Sequence, residues 1–294
     1  MANYLIKDLE RLSGIKAHTI RIWERRFGFI KPKRSTTNIR CYCEEDLKML
    51  LNVALLNKHG LKISKISTIP PDQIEQKVEQ LVTQSPTNKI EKLTSAMMEI
   101  DIEKADLILS SEIEVYGMVH TLKSLIHPFL EKVGLLWLSS SITPIQENFA
   151  LCLIRRKIIA EIDNLATQPI TKQKSILLFL PEGESQEIGI LSLYYILKSK
   201  GYKIIYVGGG ISLKDLKDFT TITIPNIAIT MITETFTRQS VQNYINCLSQ
   251  IFSSSEIYLT GYQVIHQDLC VKNLHNINLV EGLDAIVKKI DYPN

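Results

Sequence analysis

The chain has 294 residues, 45% hydrophobic and 22% charged, enough for more than one packed domain and too apolar for a disordered polymer. No apolar run approaches the roughly 20 residues that a membrane-spanning helix needs. Its net charge of +3 is unevenly spread: residues 1–70 hold 14 Lys and Arg against 6 Asp and Glu, and the remainder holds 20 against 25.

Charge enters within MANYLIKDLE, without a signal-peptide apolar core, so the expected location is the cytoplasm and no membrane partner is expected. Five scattered cysteines, Cys41, Cys43, Cys152, Cys247 and Cys270, argue for reduced thiols rather than a disulfide frame. Leu5, Ile6, Leu9 and Leu12 predict a helix over 4–13 that Gly14 ends. Ile20, Trp23 and Phe27 predict a second helix that stops at Gly28. Two short helices around a turn form a helix-turn-helix pattern. The basic, β-branched stretch from Pro32 to Tyr42 suits a hairpin or wing, and EEDLKMLLNVALLNKHG supplies a longer helix with acidic residues at its start. A short helix is expected within Leu61–Ile69, before Pro70-Pro71.

Residues 72–165 read as helical segments near 72–83, 87–98, 101–113, 116–138 and 143–165, parted by Pro86, Gly117 and Ser139-Ser140-Ser141. They predict a helical bundle. After the polar linker TQPITKQ the period changes to alternating strand and helix. Strands are expected at 175–180, 202–207, 227–232, 256–260 and 278–281, and helices at 186–200, 212–219, 238–253, 267–275 and 282–290. That alternation predicts a parallel, doubly wound sheet. The fold class is therefore multi-domain, α plus α/β: a winged helix-turn-helix over 1–70, a bundle over 72–166 and a Rossmann-like domain over 172–294.

The second helix of a helix-turn-helix enters the major groove. Lys16, His18, Thr19 and Arg21 stand at its start, where they would meet base edges, while Arg25, Arg26, Lys33, Arg34 and Arg40 would flank the groove and meet phosphates. Double-stranded DNA is the expected partner. A basic surface on a protein-binding adaptor is the alternative on pattern alone. Cys41-Tyr42-Cys43 lacks the further ligands of a zinc site. His120 and His127 share a helical face, but no carboxylate or thiolate stands at ligand spacing. Gly208-Gly209-Gly210 lacks the dinucleotide-binding form, and no Walker or GxSxG sequence is present, so no enzyme emerges.

The first 68 or so residues resemble the MerR family of bacterial transcription regulators. The resemblance rests on Arg21-Ile22-Trp23-Glu24, with Ile22 in place of the usual tyrosine, on Pro32-Lys33-Arg34, and on Arg40-Cys41-Tyr42 before an acidic helix start. Thr37-Asn38-Ile39 replaces the usual wing glycines. It implies DNA binding as a homodimer or higher homo-oligomer, with Tyr42 among the interface residues and RNA polymerase or another protein as a further partner.

The remainder is similar to the branch of that family with a light-responsive, cobalamin-binding region, which includes repressors of carotenoid genes. The branch's Trp, nine residues, then Glu-His appears as Trp137 with Glu147-Asn148, and its Glu-x-His-x-x-Gly as Glu184-Ser185-Gln186-Glu187-Ile188-Gly189. Both cobalt-facing histidines are thus replaced, by Asn148 and Gln186. The hydroxyl-and-leucine motif is blurred to Thr230-Met231-Ile232, and the paired glycine becomes Gly261-Tyr262. Imidazole is a good transition-metal ligand and a carboxamide a poor one. The expectation is a degenerate site with no cofactor, in which Trp137 fills a bundle core and GESQEIG simply starts a helix. Retained cobalamin, or another tetrapyrrole, is the alternative.

Overall fold

The computed structural model describes residues 4–13, 15–34, 40–58, 60–83, 88–165, 169–233 and 240–292. They form two compact units, residues 1–153 and 154–294. The first unit opens with α1 (Ile6–Ser13) and α2 (Ala17–Phe27). Gly14 lies outside the described residues. Gly28 ends α2 in the left-handed region at φ 67°, donating its N–H to the Trp23 carbonyl at 3.0 Å, a conformation that costs glycine little. A minimal antiparallel ribbon follows, β1 (Lys33–Arg34) with β2 (Arg40–Cys41), Lys33 facing Cys41 and Arg34 facing Arg40. The tip, with Thr37-Asn38-Ile39, lies outside the described residues.

Next come α3 (Glu44–Lys58), α4 (Ile63–Ile66) and α5 (Pro71–Thr83). Leu9, Ile20, Trp23, Ile30, Tyr42 and Leu50 form the core of this region together with Ile74 and Val78 of α5. A helix that the sequence groups with the bundle therefore also closes the N-terminal core. The remaining helices of this unit are α6 (Asn88–Glu99), α7 (Ile102–Tyr116), α8 (Met118–Thr121), α9 (His127–Leu138) and the start of α10 (Pro144–Asn164). Pro86 lies outside the described residues. Asp101 caps α7 by accepting the Lys104 N–H at 3.0 Å. Between α8 and α9 the ladder widens into a π-helical turn, Leu122–Ile126. Pro128, two residues past that turn, has no N–H to give, which favours a local change of pitch.

The second unit takes the end of α10 and a five-stranded parallel sheet: β3 (Ser175–Phe179), β4 (Lys203–Tyr206), β5 (Ile227–Met231), β6 (Glu256–Thr260) and β7 (Ile277–Leu279), in the order β4-β3-β5-β6-β7. The crossovers are α11 (Glu187–Ser199), α12 (Leu213–Ile222), α13 (Val241–Ile251) and the short α14 (Tyr262–Ile265), and α15 (Leu283–Asp291) closes the chain. α11 packs beside α15, and α12 beside α13. β3, β5 and β6 are buried along nearly their whole length, as a sheet covered on both faces requires. Ser212 and Asp215 form a capping box on α12, and Ser240 caps α13.

One expected helix is absent. Residues 267–275 do not continue α14, because Gln242 of α13 exchanges two hydrogen bonds with the Cys270 backbone, at 2.7 and 3.0 Å. Leu269, Val271 and Leu274 then pack on the sheet core. Tertiary contact overrides the local helical spacing there.

Gly261→Ala should destabilise the C-terminal unit by about 2 kcal/mol or more, because φ is +105° and the new Cβ would stand 2.4 Å from the Ile232 carbonyl oxygen. Gly134→Ala, on α9 with open space around it, should instead stabilise by about 0.5–1 kcal/mol. Urea and thermal unfolding of the two variants check both signs.

Candidate functional site

The helix α2 is divided along its length. Ile20 and Trp23 are buried, Phe27 is half-buried, and His18, Arg21, Ile22, Arg25 and Arg26 are exposed. Exposed positions at intervals of three and four make one face, so a basic stripe lies opposite the apolar one. Lys16 is exposed at the N-cap, and Thr19 is half-buried with its hydroxyl 3.2 Å from the His18 ring. Lys33 and Arg34 are exposed on β1. Ile22, which in the sequence stands out only as a departure from a tyrosine, is 42% exposed in the middle of the basic stripe. An apolar side chain there can meet a thymine methyl.

Arg40 and Tyr42 are placed differently from the other residues expected at a DNA interface. The Glu24 carboxylate accepts from Arg40 Nε at 3.1 and 3.2 Å and from the Tyr42 hydroxyl at 3.3 Å. Tyr42 is completely buried, so it presents no surface to a groove and serves to hold β2 against α2. Tyr4 pairs with Tyr42 through two backbone hydrogen bonds of 2.9 Å, which fastens the chain start to the same point.

On α9, Trp137 is half-buried rather than a core residue, and the Lys48 ammonium stands 5.0 Å from its ring centre. On α10, Glu147 is half-buried, its carboxyl pushed up by burial, and Asn148 is exposed. Among the described residues no group of three or more His, Cys, Asp or Glu is placed to hold a metal ion.

In the second unit, GESQEIG lies after β3, where the strand order reverses between β3 and β5. The carboxyl ends of strands at such a point form the ligand crevice of open α/β sheets. Here it is crossed by Glu184. Its buried carboxylate accepts the Gln186 N–H at 2.9 Å and also the Thr233 N–H just past β5, so the turn does more than begin a helix. Gln186 is exposed at the N-cap of α11 without a side-chain cap bond. Beside it, Gly189 faces Met231 so closely that a Cβ would fall 2.5 Å from the methionine Cε. Thr230 is fully buried, with its hydroxyl unpartnered among the described residues. Past Gly261, the Tyr262 ring stacks on His266 at 4.2 Å. Glu187 accepts from the Tyr206 hydroxyl and pairs with Arg155 at 3.3 Å, a bracing role that the motif alone does not reveal.

The structure thus joins a helix-turn-helix, with its two-stranded ribbon and basic helix face, to an α/β unit in one chain. Residues 4–72 match the model of the MerR HTH family regulatory protein. The HTH-type transcriptional repressor CarH of Myxococcus xanthus is 23% identical over 222 residues, 72% of this chain and 73% of that one. The HTH-type transcriptional repressor CarA of the same organism is 28% identical over 209 residues, 69% and 67% of the two chains. Among solved structures, the monomethylamine corrinoid protein of Methanosarcina barkeri has the same fold over 68% of this chain and 97% of its own, with a TM-score of 0.56 at 12% identity. The chain thus carries a MerR-type helix-turn-helix and is similar over about 70% of its length to two transcriptional repressors, while its likeness to the corrinoid protein is one of fold. No helix among the described residues is long and apolar enough to cross a membrane.

Burial first, and the Glu24 carboxylate next, push the Tyr42 phenol from 10 up to about 12. The folded form therefore holds this proton longer than the unfolded form does. The resulting stabilisation is complete below pH 10 and is lost as pH climbs towards 12. Thermal unfolding across that window should show a decline that shrinks in Tyr42→Phe. Glu24→Ala leaves the buried Tyr42 hydroxyl unpaired and should cost about 1–3 kcal/mol at neutral pH, read by urea unfolding.

Proposed function

We propose that the protein binds promoter DNA as a dimer through α2 and the wing, and that it does so without cobalamin. The carrying observation is the exposed row His18, Arg21, Arg25 and Arg26, flanked by Lys16, Lys33 and Arg34, on the helix that the MerR model matches. Such a row neutralises phosphates and releases their counterions, so affinity falls steeply with salt. Thr19 and Ile22 are then the groups able to read base edges, while Arg40 and Tyr42 hold the wing in place through Glu24. The MerR-type helix-turn-helix favours this reading over a protein-binding adaptor.

Cobalamin independence rests on the donor set and on the crevice. Asn148 and Gln186 offer carboxamides where the resemblance calls for imidazoles, and carboxamides bind transition metals poorly. The Met231 side chain fills the space beside Gly189, and the Glu184 carboxylate is engaged by the Gln186 and Thr233 backbone. These groups do not suit a cobalt ligated from the protein side. The C-terminal unit then works through self-association or contact with a protein partner, in the cytoplasm.

Arg21→Ala and Arg25→Ala should each weaken binding to a duplex selected by the protein from a random pool. Removing one phosphate-neutralising side chain should reduce the slope of log affinity against log salt by about 0.9; slopes equal to wild type would remove these residues from the interface. Mixed in the dark with adenosylcobalamin and passed through gel filtration, the protein should elute colourless. Retained corrinoid absorbance would establish the cofactor-gated alternative.

A further inference from the structure

We infer that α3 couples the end of α9 to the DNA-binding face, so that Lys48 and Asn52 are positioning residues through which Trp137 sets the affinity for DNA. This rests on the DNA-binding reading above.

Lys48 and Asn52 are four apart, hence on one face of α3, and they engage two consecutive residues of α9. The Lys48 ammonium stands 5.0 Å from the Trp137 ring centre, and Asn52 Nδ2 donates to the Leu138 carbonyl at 2.9 Å. That carbonyl is one of the last four of α9, which have no partner within the helix. Asn52 is completely buried, yet its Oδ1 has no hydrogen-bond partner among the described residues. A half-satisfied buried amide is a costly way to join two helices where an apolar side chain would pack. What it adds is a fixed register between α3 and α9.

The other end of α3 governs the DNA-binding face. Asp46 accepts the Cys43 N–H at 3.0 Å, directly after β2, and the Lys31 N–H at 3.1 Å, between α2 and β1. One carboxylate thus fixes both approaches to the wing. Asp46 and Asn52 are about 9 Å apart along the axis at the rise of an α-helix, which is short enough for α3 to move as a rigid piece. Leu47, Leu50 and Val53 of α3 also share the core of Ile20 and Trp23. A change at Trp137 therefore shifts α3, and through Asp46 it re-aims the wing and the recognition helix.

The test uses the full-length protein and the selected duplex. Trp137→Leu and Lys48→Met should each weaken binding at least about fivefold, the lower end of ordinary coupling between sites. The double variant should bind no worse than either single one, because both remove the same cation–ring pair. Lys48→Arg and Trp137→Phe, which keep a cation and a ring, should stay near wild type and show that the weakening does not come from misfolding; circular dichroism melts accompany each variant. Wild-type affinity in Trp137→Leu, or effects that multiply in the double variant, would overturn the coupling. If Arg21→Ala weakens binding while Trp137→Leu does not, the coupling alone fails. A wild-type chain that retains no duplex overturns the DNA-binding reading as well.

Discussion

The N-terminal module is organised around a single carboxylate. Glu24 sits on α2 between its buried face and its basic face, and it takes both Arg40 and Tyr42. Without that anchor the two-residue ribbon of β1 and β2 would have little to hold it, since a lone pair of short strands is marginal in water. The buried Tyr42 ring brings β2 and the chain start onto the core, and the arginines of α2 are left on a helix that is fixed from behind. An acidic residue beside a basic helix face is explained by this bracing, at a modest cost to the positive field.

The C-terminal unit contains a comparable device in another setting. Parallel strands leave a crevice where their order reverses, and Glu184 crosses it by accepting backbone N–H groups on either side. Met231 fills the space against Gly189, and Gly261 passes the Ile232 carbonyl too closely for any side chain. The fold of the Methanosarcina barkeri corrinoid protein is retained here, while the crevice contains the protein's own groups. Fold and ligand are separable, because the sheet depends on buried aliphatic strands and the ligand on a few side chains at their ends.

Much of the architecture is legible from residue spacing. Strands β3 to β7 read as short apolar runs because both faces of a parallel sheet are covered. Gly28 and Gly117 mark helix ends, since positive φ favours glycine there. The expected helix at 267–275 fails for a reason that sequence does not carry, the grip of Gln242 on Cys270 from a distant helix. Spacing alone puts Trp137 in a core, whereas it stands beside Lys48. The role of Glu187 is hidden in the sequence because its partners, Arg155 and Tyr206, come from other elements.

The sequence by itself determined most element types, the parallel sheet and the basic helix, because these follow from local period, charge and residue chemistry, while its family resemblance marked Asn148 and Gln186 as replacements for imidazoles. Only the tertiary structure decided which basic residues face outward and which brace the wing, that α5 closes the N-terminal core, and that Lys48 and Asn52 grip the end of α9. The physical reason is range. Periodicity and capping act within a few residues, whereas the Asn52 bond to Leu138 joins positions 86 apart, a pairing that becomes visible only when the folded helices fix their rotation and register.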